Sequence, residues 1–263
     1  MFYSSNLREF LSGTTFVLSL VFVVMLAVDV EPTSTVGGAS DATAKRYGES
    51  PVLIIDPGHG GEDGGAVAAD GTLESDINFQ IALRLESLAL FWGADAVKTR
   101  DEYGIDYPEA ARTTRERKLF DQRSRVELIN SYPNAVLISI HQNRFPDSRL
   151  RGAQVLYART EGSAALGETA HGNLTARLCP ESRRVAAPIS EAIYITKMIN
   201  CPAILVECGF LSNRAEAELL KDSDYQRKIS LVLLSSYLQY LNQSALQYSS
   251  QSAIADSLSS LRT

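Results

Sequence analysis

Three short runs, "VLIID" (Val52 to Asp56), "AVLISI" (Ala135 to Ile140) and "AILVE" (Ala203 to Glu207), are apolar at nearly every position. A strand with one face in water alternates apolar and polar residues, whereas a strand covered on both faces does not. Between these runs the period changes. Ser75 to Phe91 carries Ile77, Ile81, Leu85 and Leu88 at helical spacing, and further helices are expected around Phe120 to Ser131, Ala164 to Leu178 and Asp224 to Leu241. Shorter strands are expected at Asp95 to Thr99 and Ala153 to Ala158. This alternation predicts the α/β class: a mostly parallel twisted sheet with helices on both faces, forming a single domain of catalytic size.

A chain of 263 residues holds one such domain with a sizeable core. The domain is expected over residues 51–242, and the Ser- and Gln-rich segment 243–263 is expected to be a mobile tail. Upstream, Leu11 to Val28 is a run of eighteen residues without a charge. As a helix it would extend roughly 27 Å, close to the thickness of a hydrocarbon core. Residues 1–30 are therefore read as a membrane anchor, with a cleaved signal and secretion as the alternative, and residues 31–50 as a flexible tether. Arg8 precedes the apolar run while Asp29 and Glu31 follow it, which places the domain outside the cytoplasm.

A net charge of −6 argues against nucleic acid as a partner, because neutralising phosphates takes a basic face. The one basic run, "RTTRERKLFDQRSR" (Arg112 to Arg125), is interrupted by Glu116 and Asp121 and reads as a solvated helix face. Of the three cysteines, Cys201 and Cys208 flank an extended run. Strand rise separates them by roughly 20 Å, far beyond disulfide reach, so free thiols are expected and no cysteine-based zinc site.

In open α/β sheets the ligand site lies beyond the carboxyl ends of the strands. His59 follows the first apolar run directly, His141 follows the second, and Glu207 ends the third. Three core strands thus deliver metal- or proton-competent groups to one end of the sheet, and two of the chain's three histidines are among them. Two histidines with a carboxylate form a zinc-ligand set that leaves a position for water. Zinc lowers the pKa of such a water and polarises a carbonyl, and a second carboxylate then moves the proton to the leaving nitrogen. Spacing leaves open which carboxylate ligates: Glu62, Asp63, Glu74 and Glu207 all qualify. A phosphate-binding loop is the rival reading of "GHGGEDGG". That stretch lacks both the GxGxxG spacing and the Lys-Ser/Thr ending, and its carboxylates would repel a phosphate.

Taken in order, "DPGHGGEDGG", "LESD", "LISIHQN" and "PAILVECGFLSN" resemble the zinc-dependent N-acetylmuramoyl-L-alanine amidases of the amidase-3 type, over about Val52 to Leu241. The block "RKLFDQRSRVELIN" and the membrane-directed N-terminus are most similar to the germination-specific, spore-cortex branch. The resemblance implies one zinc ion held by His59, Glu74 and His141, with Glu207 as the catalytic carboxylate. It implies hydrolysis of the amide joining the lactyl group of N-acetylmuramic acid to L-alanine, with peptidoglycan as partner and muramic-lactam formation in cortex as a setting. A non-catalytic peptidoglycan-binding zinc protein and a zinc exopeptidase are the alternatives, and an accessory partner is left unassigned.

Physical expectations accompany these roles. Asp56 is expected to support a histidine tautomer or the loop backbone, and Asp63 to orient the turn. Asn143, two positions past His141, is expected to point the same way as that histidine. Asn213 with Glu216 reads as a helix N-cap, and His171 as an ordinary helix residue.

Overall fold

A computed structural model describes residues 51–260, with side chains described through residue 246. The apolar runs are strands β1 (Val52–Pro57), β3 (Ala135–Asn143) and β6 (Ala203–Phe210), joined by β2 (Ala96–Lys98), β4 (Gln154–Tyr157) and β5 (Ala187–Pro188). They form one six-stranded sheet in the order β2-β1-β3-β6-β4-β5. β1, β2, β3 and β6 run parallel, whereas β4 pairs antiparallel with β6 and parallel with β5.

Alternate residues of each central strand feed two different cores, as period-two geometry requires. Leu53, Ile55, Ile138, Ile140 and Val206 pack on one side against α1 (Glu74–Phe91), α3 (Ser163–Leu178), α5 (Arg214–Lys221) and α6 (Ser223–Ser260). Ile54, Leu137 and Ala203 pack on the other side with Ile129 of α2 (Thr114–Asn130) and with Ile195 of α4 (Tyr194–Met198). Helices therefore cover both faces, and the unbroken apolar runs follow from that burial.

Helix boundaries follow local chemistry. α2 begins six residues before its expected start because Thr113 and Glu116 form a reciprocal capping box. At α5 the Asn213 side chain accepts from the Glu216 N–H, the expected N-cap. The Glu216 carboxylate turns away instead, accepting from the Gly152 and Phe210 N–H groups. α6 continues through Asn242 to Ser260, across the segment expected to be a mobile tail. No Gly or Pro occurs after Ser223 to interrupt it. Cys179, Cys201 and Cys208 are free and buried. Among the described residues no helix is long and apolar enough to cross a membrane, and the apolar run Leu11 to Val28 and the tether lie outside them.

Candidate metal centre and amidase site

β1 ends at Pro57 and hands the chain to a glycine-rich loop that reaches α1 at Glu74. Within this loop His59 holds a left-handed backbone (φ 61°), uncommon for a residue with a side chain. The conformation is held from behind. Arg125, almost fully buried, donates to the carbonyls of Pro57 (2.9 Å) and His59 (2.5 Å) and to Asp56 Oδ1 (2.7 Å). Asp56 also accepts from Thr99 Oγ1 (2.7 Å) and Ser139 Oγ (2.6 Å). Burial alone would raise the Asp56 pKa, but the Arg125 charge and the two hydroxyl donors outweigh it and bring it down to about 2. Asp56 thus supports the loop backbone through Arg125, and among the described residues it hydrogen-bonds no histidine.

Arg100 ties the loop to the helix. Its Nε donates to the Pro57 carbonyl (3.1 Å) and its Nη2 to the Ser75 carbonyl (3.0 Å), so one guanidinium spans the approach to His59 and the first turn bearing Glu74. The Glu74 and Ser75 N–H groups, which have no intrahelical partner at a helix start, donate to the Ala66 and Gly64 carbonyls.

These supports bring His59, Glu74 and His141 together, with one donor atom from each within 4.8 Å of the others. His59 Nε2 lies 3.4 Å from Glu74 Oε1, and His141 Nδ1 lies 2.9 Å from the same oxygen. His59 Nδ1 faces Asp63 Oδ2 at 3.1 Å, so Asp63 orients the imidazole with Nε2 turned inward. Burial pulls the His59 pKa down, but the hydrogen bonds and charges of Asp63 and Glu74 prevail and raise it to about 9. For Glu74 burial acts upward, and the two histidines hold the carboxyl well below the usual carboxylate range. Its oxygens also accept from the Ala66 N–H (2.7 Å), the Gln142 N–H (3.0 Å) and Asn78 Nδ2 (3.4 Å). Asn78 donates as well to the Gly58 carbonyl (3.0 Å).

Glycine is demanded at two points. A Cβ on Gly58 would stand 2.2 Å from the His141 ring, and one on Gly65 (φ 69°) 2.5 Å from Glu74 Oε2. Only a bare backbone lets loop and donors approach this closely.

Glu207 sits beside His141 in register across β3 and β6. Its Oε2 is buried without a hydrogen-bond partner among the described residues. Burial, reinforced by the Glu74 charge and opposed by the histidines, pushes its pKa up to about 7, suited to exchanging a proton near neutrality. Two nitrogens, a carboxylate oxygen and an adjacent orphaned carboxylate fit a four-coordinate zinc site with one open position.

Other expected residues fall elsewhere. Glu62 pairs with Arg117, and Lys118 with Asp63 (2.9 Å). The basic helix is therefore not simply a solvated face: it places Arg117 and Lys118 on the glycine-rich loop and buries Arg125. Register shifts between His141 and Asn143 because β6 takes three steps from Glu207 to Phe210 where β3 takes two, so the extra residue lies in β6. His141 and Asn143 stay half-buried with Gln142 buried between them, the alternation expected of β3. Gln142 is the residue that bonds Glu74. His171 Nε2 donates to the Arg184 carbonyl (2.7 Å), away from the cluster. Arg100, Asn78 and Gln142 were not singled out from sequence, since nothing in their local spacing marks them.

Comparisons with known proteins agree with this geometry. Residues 53–234 match the Amidase_3 family model, described as N-acetylmuramoyl-L-alanine amidase. The germination-specific N-acetylmuramoyl-L-alanine amidase of Bacillus subtilis (strain 168) is 33% identical over 193 residues, covering 73% of this chain and 80% of that protein. The CwlD amidase of Clostridioides difficile, solved in complex with the GerS lipoprotein, superposes with a TM-score of 0.70 at 35% identity, covering 73% of this chain and 99% of that one. An N-acetylmuramoyl-L-alanine amidase of Nostoc punctiforme gives 0.62 at 25% identity, covering 74% and 99%. With more than half its length inside the family model and its metal-competent residues assembled where the sheet delivers them, the chain belongs to the Amidase_3 family of N-acetylmuramoyl-L-alanine amidases.

Proposed function

We infer that the protein hydrolyses the amide between the lactyl group of N-acetylmuramic acid and L-alanine of the peptidoglycan stem peptide. The observation that carries this reading is the cluster of His59, Glu74 and His141 beside the orphaned carboxylate oxygen of Glu207. His59, Glu74 and His141 are the proposed ligands of one zinc ion. When bound, zinc supplies Lewis acidity to a water and to the scissile carbonyl. Glu207 takes a proton from the attacking water and delivers it to the departing alanine nitrogen. Asp63 keeps the His59 proton on Nδ1, while Asn78 and the Gln142 N–H fix the Glu74 carboxylate.

Similarity to a germination-specific amidase supports spore-cortex peptidoglycan as the substrate, with muramic-lactam formation as the downstream use. The apolar run Leu11 to Val28 supports an extracytoplasmic enzyme held at the membrane. The complex formed by the Clostridioides difficile relative supports an accessory partner here as well.

Digestion of purified peptidoglycan, read by mass spectrometry, tests the reaction. Release of stem peptides with free L-alanine N-termini from intact glycan, abolished by a chelator and restored by zinc, is the expected result. Zinc binding without products would make the protein a binder, and cleavage of peptides carrying no sugar would make it an exopeptidase.

A further inference from the structure

Beyond the metal cluster, the chain segments that continue β3 and β6 enclose a groove of about 540 Å³ with the loop that leads into α1. Its volume lies within the usual range for small-ligand sites, roughly 300–1,000 Å³. Val67, Phe145 and Leu211 form apolar walls, and Ser212 and Arg144 supply polar groups. Two hydrogen bonds fix this surface: the Leu211 N–H donates to the Asn143 carbonyl (2.8 Å), and the Phe145 N–H donates to Ser212 Oγ (3.2 Å).

Two features of the groove lack an internal explanation. Phe145 and Val67 are 53% and 40% exposed, apolar surface that burial has not claimed. Arg144 is exposed, and no hydrogen bond or ion pair engages its guanidinium among the described residues, whereas nearby Arg149 is paired with Asp147. An apolar trough with one free guanidinium matches a short peptide that carries a carboxylate, since Arg binds carboxylates in a planar two-point contact.

We propose that this groove seats the stem peptide and that Arg144 binds the free α-carboxylate of the D-glutamate following L-alanine. The proposal rests on the amidase reading above and adds a determinant of specificity to it. Chain distances agree. Arg144 lies three residues past His141, roughly 10 Å along an extended backbone, and the D-glutamate lies about two residues, roughly 7 Å, from the scissile carbonyl. Amidation of that carboxylate removes its charge and replaces one acceptor with a donor, so Arg144 would discriminate against amidated wall.

The test uses the full zinc-loaded chain and two muropeptides that differ only in whether the D-glutamate α-carboxyl is free or amidated. Wild-type protein is expected to favour the free acid by roughly tenfold or more in kcat/KM, carried by KM, the range for a hydrogen bond to a charged group. Arg144→Gln should bring the ratio of the two substrates close to one. No preference in the wild type, or a preference that survives Arg144→Gln, overturns the proposal. Cleavage of neither substrate would instead count against the amidase reading. The groove is then judged by calorimetry with the tripeptide L-Ala-γ-D-Glu-L-Lys and its α-amide, and equal affinity for the two would overturn the proposal.

Discussion

His141 and Glu207 stand opposite one another in register on adjacent parallel strands, yet only His141 shares the donor cluster with His59 and Glu74. Parallel pairing of β3 and β6 places a metal-competent nitrogen and a carboxylate with an unengaged oxygen side by side. The proposed division of labour between holding an ion and moving a proton would follow from this strand register.

Replacing Gly58 by alanine should abolish zinc binding. The added Cβ would stand 2.2 Å from the His141 ring, a contact no rotamer of the loop relieves without displacing the histidine. His59→Ala should lose the metal as well, by removing a donor. Metal content after dialysis, measured by elemental analysis, checks both, and a stoichiometric ion in Gly58→Ala would contradict the geometry.

Arg100 acts as a positioning residue that spans the Pro57 and Ser75 carbonyls. Arg100→Met is expected to weaken zinc affinity by roughly 10–100-fold, the range seen when supporting hydrogen bonds around a metal site are removed. Competition titration with a chromophoric chelator reads the affinity, and a thermal melt of the metal-free protein separates loosening of the site from loss of the fold.

The central strands, the ends at which they deliver His59, His141 and Glu207, and the helices on both faces were readable because period and burial are local properties of the chain. What holds the site was not. Arg125 lies in a helix whose composition reads as a solvated face, and only the packing of α2 behind β1 turns it into a buried partner of Asp56. Asn143 keeps the alternation expected with His141, whereas the extra residue of β6 that shifts the register, and the Gln142 N–H bond to Glu74, have no mark in the local pattern. Segment 243–263 looked mobile from its Ser and Gln content, whereas absence of Gly and Pro let α6 continue to Ser260. Long-range packing decided the place of Arg125, and local pattern carries no signal for it, whereas the continuation of α6 was open to a local reading.

Acid should destabilise the protein through Asp56. Its pKa is about 2 in the fold against an ordinary value of 3.8, so its stabilisation is complete above about pH 4 and lost as pH falls through about 2. That contribution is on the order of 2 kcal/mol. Asp56→Asn removes one of the two carboxylates paired with the buried Arg125, leaving Asp121 (2.8 Å), and should be less stable at pH 5 by about 2 kcal/mol. Urea melts at pH 5 and pH 2 are expected to show the gap between wild type and variant narrowing at the lower pH. A gap independent of pH would assign the ion pair no role in acid sensitivity.

Removing residues 1–45 should leave hydrolysis of purified peptidoglycan unchanged while reducing activity in the cell. Comparison of digestion rates in solution with complementation of a strain lacking the enzyme provides the check, and loss of activity in solution would show that the segment contributes to the domain itself.

Glu207→Gln is the most direct test of the division between ion binding and proton transfer. The variant keeps shape and removes only the titrating oxygen, so zinc should bind at one ion per chain. Release of L-alanine N-termini from peptidoglycan should fall by roughly 10²–10⁴-fold. A Glu207→Gln protein that holds zinc and still turns over near the wild-type rate would contradict the account.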